Sequence, residues 1–321
     1  TINKYVLLEQ VSSTGIATLY RAKDPSKSDE VALKVFRPLI SERKNAMDVL
    51  SVEIDKIVGI QNSSVVSVFE MGNEKQTYWL SMEFSPHPTL DQLSTNPFTL
   101  AQTMNVLEQL CTVINDLGAT GIHHGDLKLS NIFVNPENGS IKVSDFGMGA
   151  LSKALPDNLR DSSNTPLPAY TAPELSDGVN FDAVSDVYSI GIVAYRMFTG
   201  QTPFHSTDRN AIRNSQINSA ATPISQLNKN LPKEMDAIFN KVLSPHRTIR
   251  FQTASDFLDE IKVVLPNYNM GETSFSDNRN PESQERIPGL EVEEITPIEE
   301  DLPKIICTVC GQENHQSRSW C

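Results

Sequence analysis

Apolar and polar positions alternate in short runs over the first quarter of the chain, at residues 5–8, 17–22, 31–36, 65–69 and 78–84. A period of two marks half-buried strands, so these runs predict five strands of one antiparallel sheet. Between the third and fourth runs the period lengthens: within 46–60, Val49, Val52, Ile57 and Ile60 recur at helical spacing, with Glu53 on an adjacent face. This predicts one helix beside the sheet. After Pro86 and Pro88 the helical period takes over. Leu107, Leu110, Cys111, Ile114 and Leu117 form an i, i+3, i+4 stripe, and residues 186–198 are apolar nearly all round. The pattern predicts an α+β protein of two lobes, a small antiparallel β lobe with one helix and a larger, mainly helical lobe. Cys111, lying inside the stripe, is read as a packed core thiol.

The pattern ends near residue 266. Residues 267–304 are polar and acidic and carry Pro281, Pro288, Pro297 and Pro303, which predicts an extended linker before a short cysteine-bearing end at 305–321. Three regions follow, 1–266, 267–304 and 305–321, with no internal repeat among them. The chain has 321 residues, 39% of them apolar, which suits a sizeable core. The net charge of −13 argues against a nucleic-acid partner, and much of the excess lies in 272–301, where the acidic residues face only Arg279 and Arg286. The longest apolar run, 187–198, holds Ser189 and Arg196 and falls short of the ~18 residues of a membrane span. Residues 1–5 lack the apolar core of a secretory signal. Three of the four cysteines lie at the extreme end, a metal pattern rather than a disulfide framework, so the expected compartment is the reducing cytoplasm.

The chemistry is concentrated in His124-Gly125-Asp126-Leu127-Lys128-Leu129-Ser130-Asn131, followed by Asp145-Phe146-Gly147. Phosphoryl transfer to a hydroxyl needs the triphosphate held, its charge neutralised by a metal, and the acceptor oxygen aligned for in-line attack. The stretch resembles the catalytic loop and magnesium loop of the eukaryotic-like, Hanks-type serine/threonine protein kinases of bacteria, and the resemblance extends over residues 5–266. It implies that Lys34 meets the α- and β-phosphates of ATP with Glu53 fixing its ammonium. Asp126 would orient the attacking hydroxyl and accept its proton, and Lys128 would neutralise charge on the moving group and favour Ser/Thr acceptors. Asn131 and Asp145 would hold Mg2+ or Mn2+. The adenine would lie between Leu19 and Ala32 above and Phe133 below, bonded to the backbone near Glu83 and Ser85 past Met82, with Val11 and Gly15 also among the nucleotide-binding positions. A second column of Val68, Ile57, Phe146 and His124 would stand on a helix starting at Asp186. Asp186 would hold the catalytic-loop backbone, and Glu174 would pair with Arg250.

The chain also departs from the pattern. Ser12, Thr14 and Ala17 stand where the phosphate loop has glycines, leaving only Gly15 in the turn, so weakened nucleotide affinity is expected. Gly125 replaces the arginine that grips a phosphorylated activation loop, which implies activity without phosphorylation between Asp145 and Glu174. Leu167 occupies the usual place of a threonine, although Thr165 is close. The reading is an ATP- and magnesium-dependent kinase of protein Ser/Thr hydroxyls, against a pseudokinase scaffold and a small-molecule kinase. Thr296, among acidic residues, is an expected autophosphorylation site for a phosphothreonine-binding reader. At the end, Cys307 and Cys310 with Gly311 form a zinc knuckle. His315 and Cys321 complete it, or Cys321 is the third ligand of a partial zinc ribbon in a chain that stops inside a longer protein, or the end binds no metal.

Overall fold

Five strands form from the alternating region: β1 (Val6–Ser13), β2 (Ala17–Lys23), β3 (Glu30–Phe36), β4 (Val68–Glu74) and β5 (Thr77–Glu83). All neighbours pair antiparallel, in the order β1-β2-β3-β5-β4. The computed structural model describes residues 1–26, 29–93, 97–156, 159, 168–267, 273–275, 305–306 and 313–314. Strand periodicity divides β3 between two cores. Val31 and Leu33 join Tyr5 and Trp79 on the outer face, while Ala32 and Phe36 join the core shared with the helical lobe. Lys34 has the parity of Ala32 and Phe36, which turns its stem towards the cleft.

Two expectations for this lobe need correction. The fourth strand starts at Val68, not at Val65, because Val65 and Val66 pair elsewhere. Val65 bridges Val143 in parallel and the Val66 N–H donates to the Val143 carbonyl at 2.9 Å. Both valines are buried, and a buried β-branched pair satisfies its backbone equally well in either ladder. Gly72 lies inside β4 because Trp79 crosses it: a Cβ there would sit 2.2 Å from the indole ring. The helix stripe is also rotated from the expected one. Helix α2 (Lys44–Ile57), which follows the short α1 (Pro38–Ser41), buries Ala46, Met47, Leu50, Ile54 and Ile57, leaving Val49 43% and Val52 58% exposed. Two helical stripes compete in this segment, and the one with Met47, Leu50 and Ile54 buries the larger apolar area. The small lobe therefore holds two helices.

In the helical lobe, α3 (Leu90–Leu93) precedes α4 (Leu100–Gly118), which starts at a Thr99–Gln102 capping box and buries the expected stripe. Cys111 is 1% exposed, and burial pushes its thiol up to about 12, so it stays protonated in the core. The helix Ala183–Thr199 begins three residues before Asp186, at an Asp182–Ser185 capping box, and is buried along nearly its whole length. The short hairpin of β6 (Ile132–Val134) and β7 (Ile141–Val143) carries the two chemical loops, and α5 (Met148–Ala154) follows at once.

The chain divides into two units, Thr1–Asn278 and Arg279–Cys321. The first reaches beyond the boundary at 266 because Phe275 is buried against Phe98, its N–H donating to the Pro136 carbonyl at 2.8 Å. In the second unit Ile305–Ile306 (β8) pairs antiparallel with Glu313–Asn314 (β9). Thr165, Leu167, Thr296, Cys307, Cys310, His315 and Cys321 lie outside the described residues. Among the described residues no helix is long and apolar enough to cross a membrane.

Candidate active site

A cavity of about 360 Å3 lies between sheet and helical lobe. From above it is lined by Val11, Ser12, Thr14, Ala17, Leu19, Ala32 and Lys34, along its rear by Met82, Glu83 and Ser85, and from below by Asp126, Lys128, Asn131, Phe133 and Asp145. Of the site residues expected from sequence, the nucleotide position Gly15 and the Lys34 partner Glu53 are absent from this lining. Ile16, Val66, Phe84, Ser130, Ser144 and Met148 line it without having been anticipated. Val66 was hidden by its assignment to a strand centre, and no local pattern marks Met148. A second cavity, of about 320 Å3, opens beside Gly125 and Asp126 and is bordered by Lys153, Thr171, Phe181, Arg209 and Arg213. Among the described residues, Asp126 alone borders both cavities.

Two ammonium–carboxylate pairs organise the floor. Lys34 Nζ lies 2.5 Å from Asp145 Oδ1, and Lys128 Nζ lies 2.6 Å from Asp126 Oδ2. Burial by itself would raise the Asp145 carboxyl, but Lys34, with Lys128 and His124 further off, holds it below the usual carboxylate range. Burial works against the charged form of Lys128 too, and the adjacent Asp126 reverses that and leaves its ammonium pKa raised. The Asn131 amide donates to the Asp126 carbonyl at 2.8 Å, which turns its Oδ1 away as a free hard acceptor. Asn131 Oδ1 and the Asp145 carboxylate are the oxygen donors that a magnesium ion prefers, and both face the same cavity. The donor set thus fits a magnesium ion that takes its remaining ligands from phosphate and water. Among the described residues no group of three or more His, Cys, Asp or Glu forms a protein-only metal cage.

The loops are held from behind by buried groups. Asp186 accepts from the backbone N–H of His124 at 2.8 Å and of Gly125 at 2.9 Å, as the resemblance led one to expect. His124 Nε2 lies 2.9 Å from the Ser144 carbonyl and its ring is 4.5 Å from that of Phe146, joining catalytic loop to metal loop. Burial pushes the His124 imidazole below its usual range. Burial also lifts the Asp186 carboxyl from 3.8 to about 6, against the two N–H bonds that favour its ionised form. Because the folded value exceeds the unfolded one, the stability this group contributes is full below about pH 4 and lost as pH rises through about 6. The wild type should therefore lose roughly 3 kcal/mol relative to Asp186→Asn across that window. Denaturant unfolding of both proteins from pH 4 to pH 7 checks this, and parallel stability curves would refute it.

Glu53 does not meet Lys34. It pairs instead with Lys56, one turn along the same helix, at 2.7 Å. The reason lies in α5, which packs against α2. At Gly147, which starts α5 with φ +82°, a Cβ would lie 3.2 Å from both Glu53 Cβ and Ile57 Cδ1, so this turn fills the space beneath α2. Gly149 in turn rests on the Gly125 backbone, where a Cβ would come within 2.8 Å. Gly125 has φ +72°, and the Phe181 ring lies 2.8 Å from where its Cβ would be, so an arginine at 125 has neither the backbone nor the room. The Glu174–Arg250 pair does form, bidentate at 2.7 and 2.8 Å, with Arg247 at 3.3 Å as a third member.

Residues 5–262 match the family described as "Protein kinase domain". The chain is 28% identical over 283 residues to the "Probable serine/threonine-protein kinase" of Clostridium acetobutylicum, covering 87% of this chain and 42% of that protein. To the serine/threonine-protein kinase PrkC of Bacillus subtilis it is 25% identical over 320 residues, covering 98% and 48%. The chain thus spans just under half the length of these relatives. The PknI kinase domain of Mycobacterium tuberculosis superimposes with a TM-score of 0.66 at 18% identity, covering 82% of this chain and 96% of that domain, which is a likeness of fold.

Proposed function

Because the chain belongs to the protein kinase family, we propose that it transfers the γ-phosphoryl group of ATP to serine or threonine hydroxyls of proteins, with Mg2+ or Mn2+ as the accompanying ion. The observation that carries this reading is that Asp126 borders both cavities, alone among the described residues. A nucleotide seated against Leu19, Ala32 and Phe133 directs its phosphates towards Lys34 and Lys128, and an acceptor hydroxyl arrives from the second cavity. Asp126 then receives the hydroxyl proton as the oxygen attacks, while Lys128 offsets the charge spread over the transferred group. Asn131 and Asp145 would hold the ion, which when bound would supply charge neutralisation at the phosphate oxygens. Lys34, paired with Asp145 at the floor of the cavity, would exchange that carboxylate for the phosphates.

The test is transfer of label from γ-labelled ATP to a generic protein acceptor, followed by phosphoamino-acid analysis. Label on Ser and Thr supports the reading. Nucleotide binding with no transfer favours a pseudokinase scaffold and rejects it. Gly125 offers no cation to a phosphorylated activation segment, so the proposal includes independence of such phosphorylation. Phosphatase-treated protein should retain most of its transfer rate, and a fall of tenfold or more on the order of a true phosphate switch would contradict this.

The proposal extends to zinc held by Cys307, Cys310 and Cys321, because two thiolates in a Cys-x2-Cys spacing suit a tetrahedral zinc site. Metal analysis of the purified protein should find about one zinc per chain, and none would remove it.

A further inference from the structure

The tip that joins β1 to β2 closes one end of the nucleotide cavity, and it is tied by side chains where glycines were expected. Thr14 Oγ1 accepts from the N–H groups of Ile16 at 3.3 Å and Ala17 at 3.2 Å. These are backbone donors that a glycine-built tip would leave open to phosphate oxygens. The Thr14 N–H donates to the Ala17 carbonyl at 2.9 Å, which completes a self-contained turn. Arg37, the first residue after β3, then holds the turn in place. Its backbone N–H donates to the Ile16 carbonyl at 2.9 Å, its Nε to the Thr14 carbonyl at 2.6 Å, and its Nη2 to Ser13 Oγ at 2.9 Å. Both of these guanidinium hydrogen bonds go to this loop.

We infer that Arg37 is a positioning residue of the nucleotide site: its clasp on Ser13 and Thr14 fixes the loop tip over the phosphate end of the cavity, in place of the backbone grip that glycines supply. The inference rests on the nucleotide reading of the cavity and adds to it a residue outside the cavity lining. A planar fork holding two acceptors at once explains why arginine suits this place, since a lysine offers a single ammonium without that fixed geometry. A tip held in advance loses less freedom when the nucleotide binds, so its effect falls on affinity rather than on the chemical step.

The experiment is titration of ADP with Mg2+ into wild type, Arg37→Ala and Arg37→Lys by calorimetry, alongside kcat and KM for ATP. Arg37→Ala should weaken ADP about three- to tenfold and raise KM by a similar factor while leaving kcat at saturation unchanged, with Arg37→Lys between. Equal ADP affinity in wild type and Arg37→Ala overturns the clasp but leaves the nucleotide reading standing. A fall in kcat at constant KM also overturns it, because that is the mark of a merely structural loss of active protein. Absence of ADP binding to wild type removes the nucleotide reading and the clasp together.

Discussion

Asp126→Ala lowers the rate of phosphoryl transfer by about 10^2- to 10^4-fold, the range lost when a positioned general base is removed. The protein should still fold and bind ADP. The geometry explains why the two effects separate. The Asp126 side chain is 32% exposed and ion-paired with Lys128, it accepts from the Asn131 amide at a long 3.5 Å, and Asn131 is held mainly through the Asp126 backbone carbonyl at 2.8 Å, which alanine keeps. The side chain stands at the junction of the two cavities, so its removal should leave the proposed nucleotide and acceptor sites intact but end the alignment between them. Labelled transfer measured beside ADP calorimetry checks the expectation. A variant that keeps more than half of the wild-type rate would displace Asp126 from the catalytic role.

The largest expected loss of stability comes from Glu174→Ala. Arg250 is fully buried, and its guanidinium donates to both carboxylate oxygens of Glu174, to the Ser244 carbonyl at 2.6 Å, and lies 4.7 Å from the Tyr188 ring centroid. Removing the carboxylate leaves that charge in the core with no counterion, at a cost of roughly 3 to 5 kcal/mol. Arg250→Ala should cost less, because Arg247 remains beside Glu174 at 3.3 Å and keeps the carboxylate neutralised. Arg247 is itself anchored to Asp182, so it does not have to move. Urea unfolding of both variants tests the order, and an equal or larger loss for Arg250→Ala would show that packing, not charge, governs the site.

Particular residues show where the sequence was legible. Lys34 was placed by the resemblance, and the structure adds the physical reason, since strand parity gives it the cleft face of β3. Cys111 and its neighbours were readable because a long helix repeats its buried face five times over, so a single misplaced residue does not alter the stripe. Glu174 and Arg250 lie far apart in the chain, and only the resemblance linked them. The α2 stripe failed for the opposite reason. Val49 and Val52 are as apolar as the residues that won, and a 14-residue helix with apolar groups on two sides carries no internal signal of which side meets the core.

The sequence by itself determined the two lobes through local periodicity and put Asp126, Lys128 and Asn131 in one short loop, while the cavity lining was reached through the family resemblance. Only the tertiary structure decided the partner of each charge. Lys34 bonds Asp145 and Glu53 bonds Lys56 because α5 packs beneath α2, and α5 packs there because Gly147 and Gly149 let two backbones approach where a Cβ would collide. Whether an ion pair forms depends on distances set by such contacts between segments remote in the chain, and no spacing along one segment encodes them.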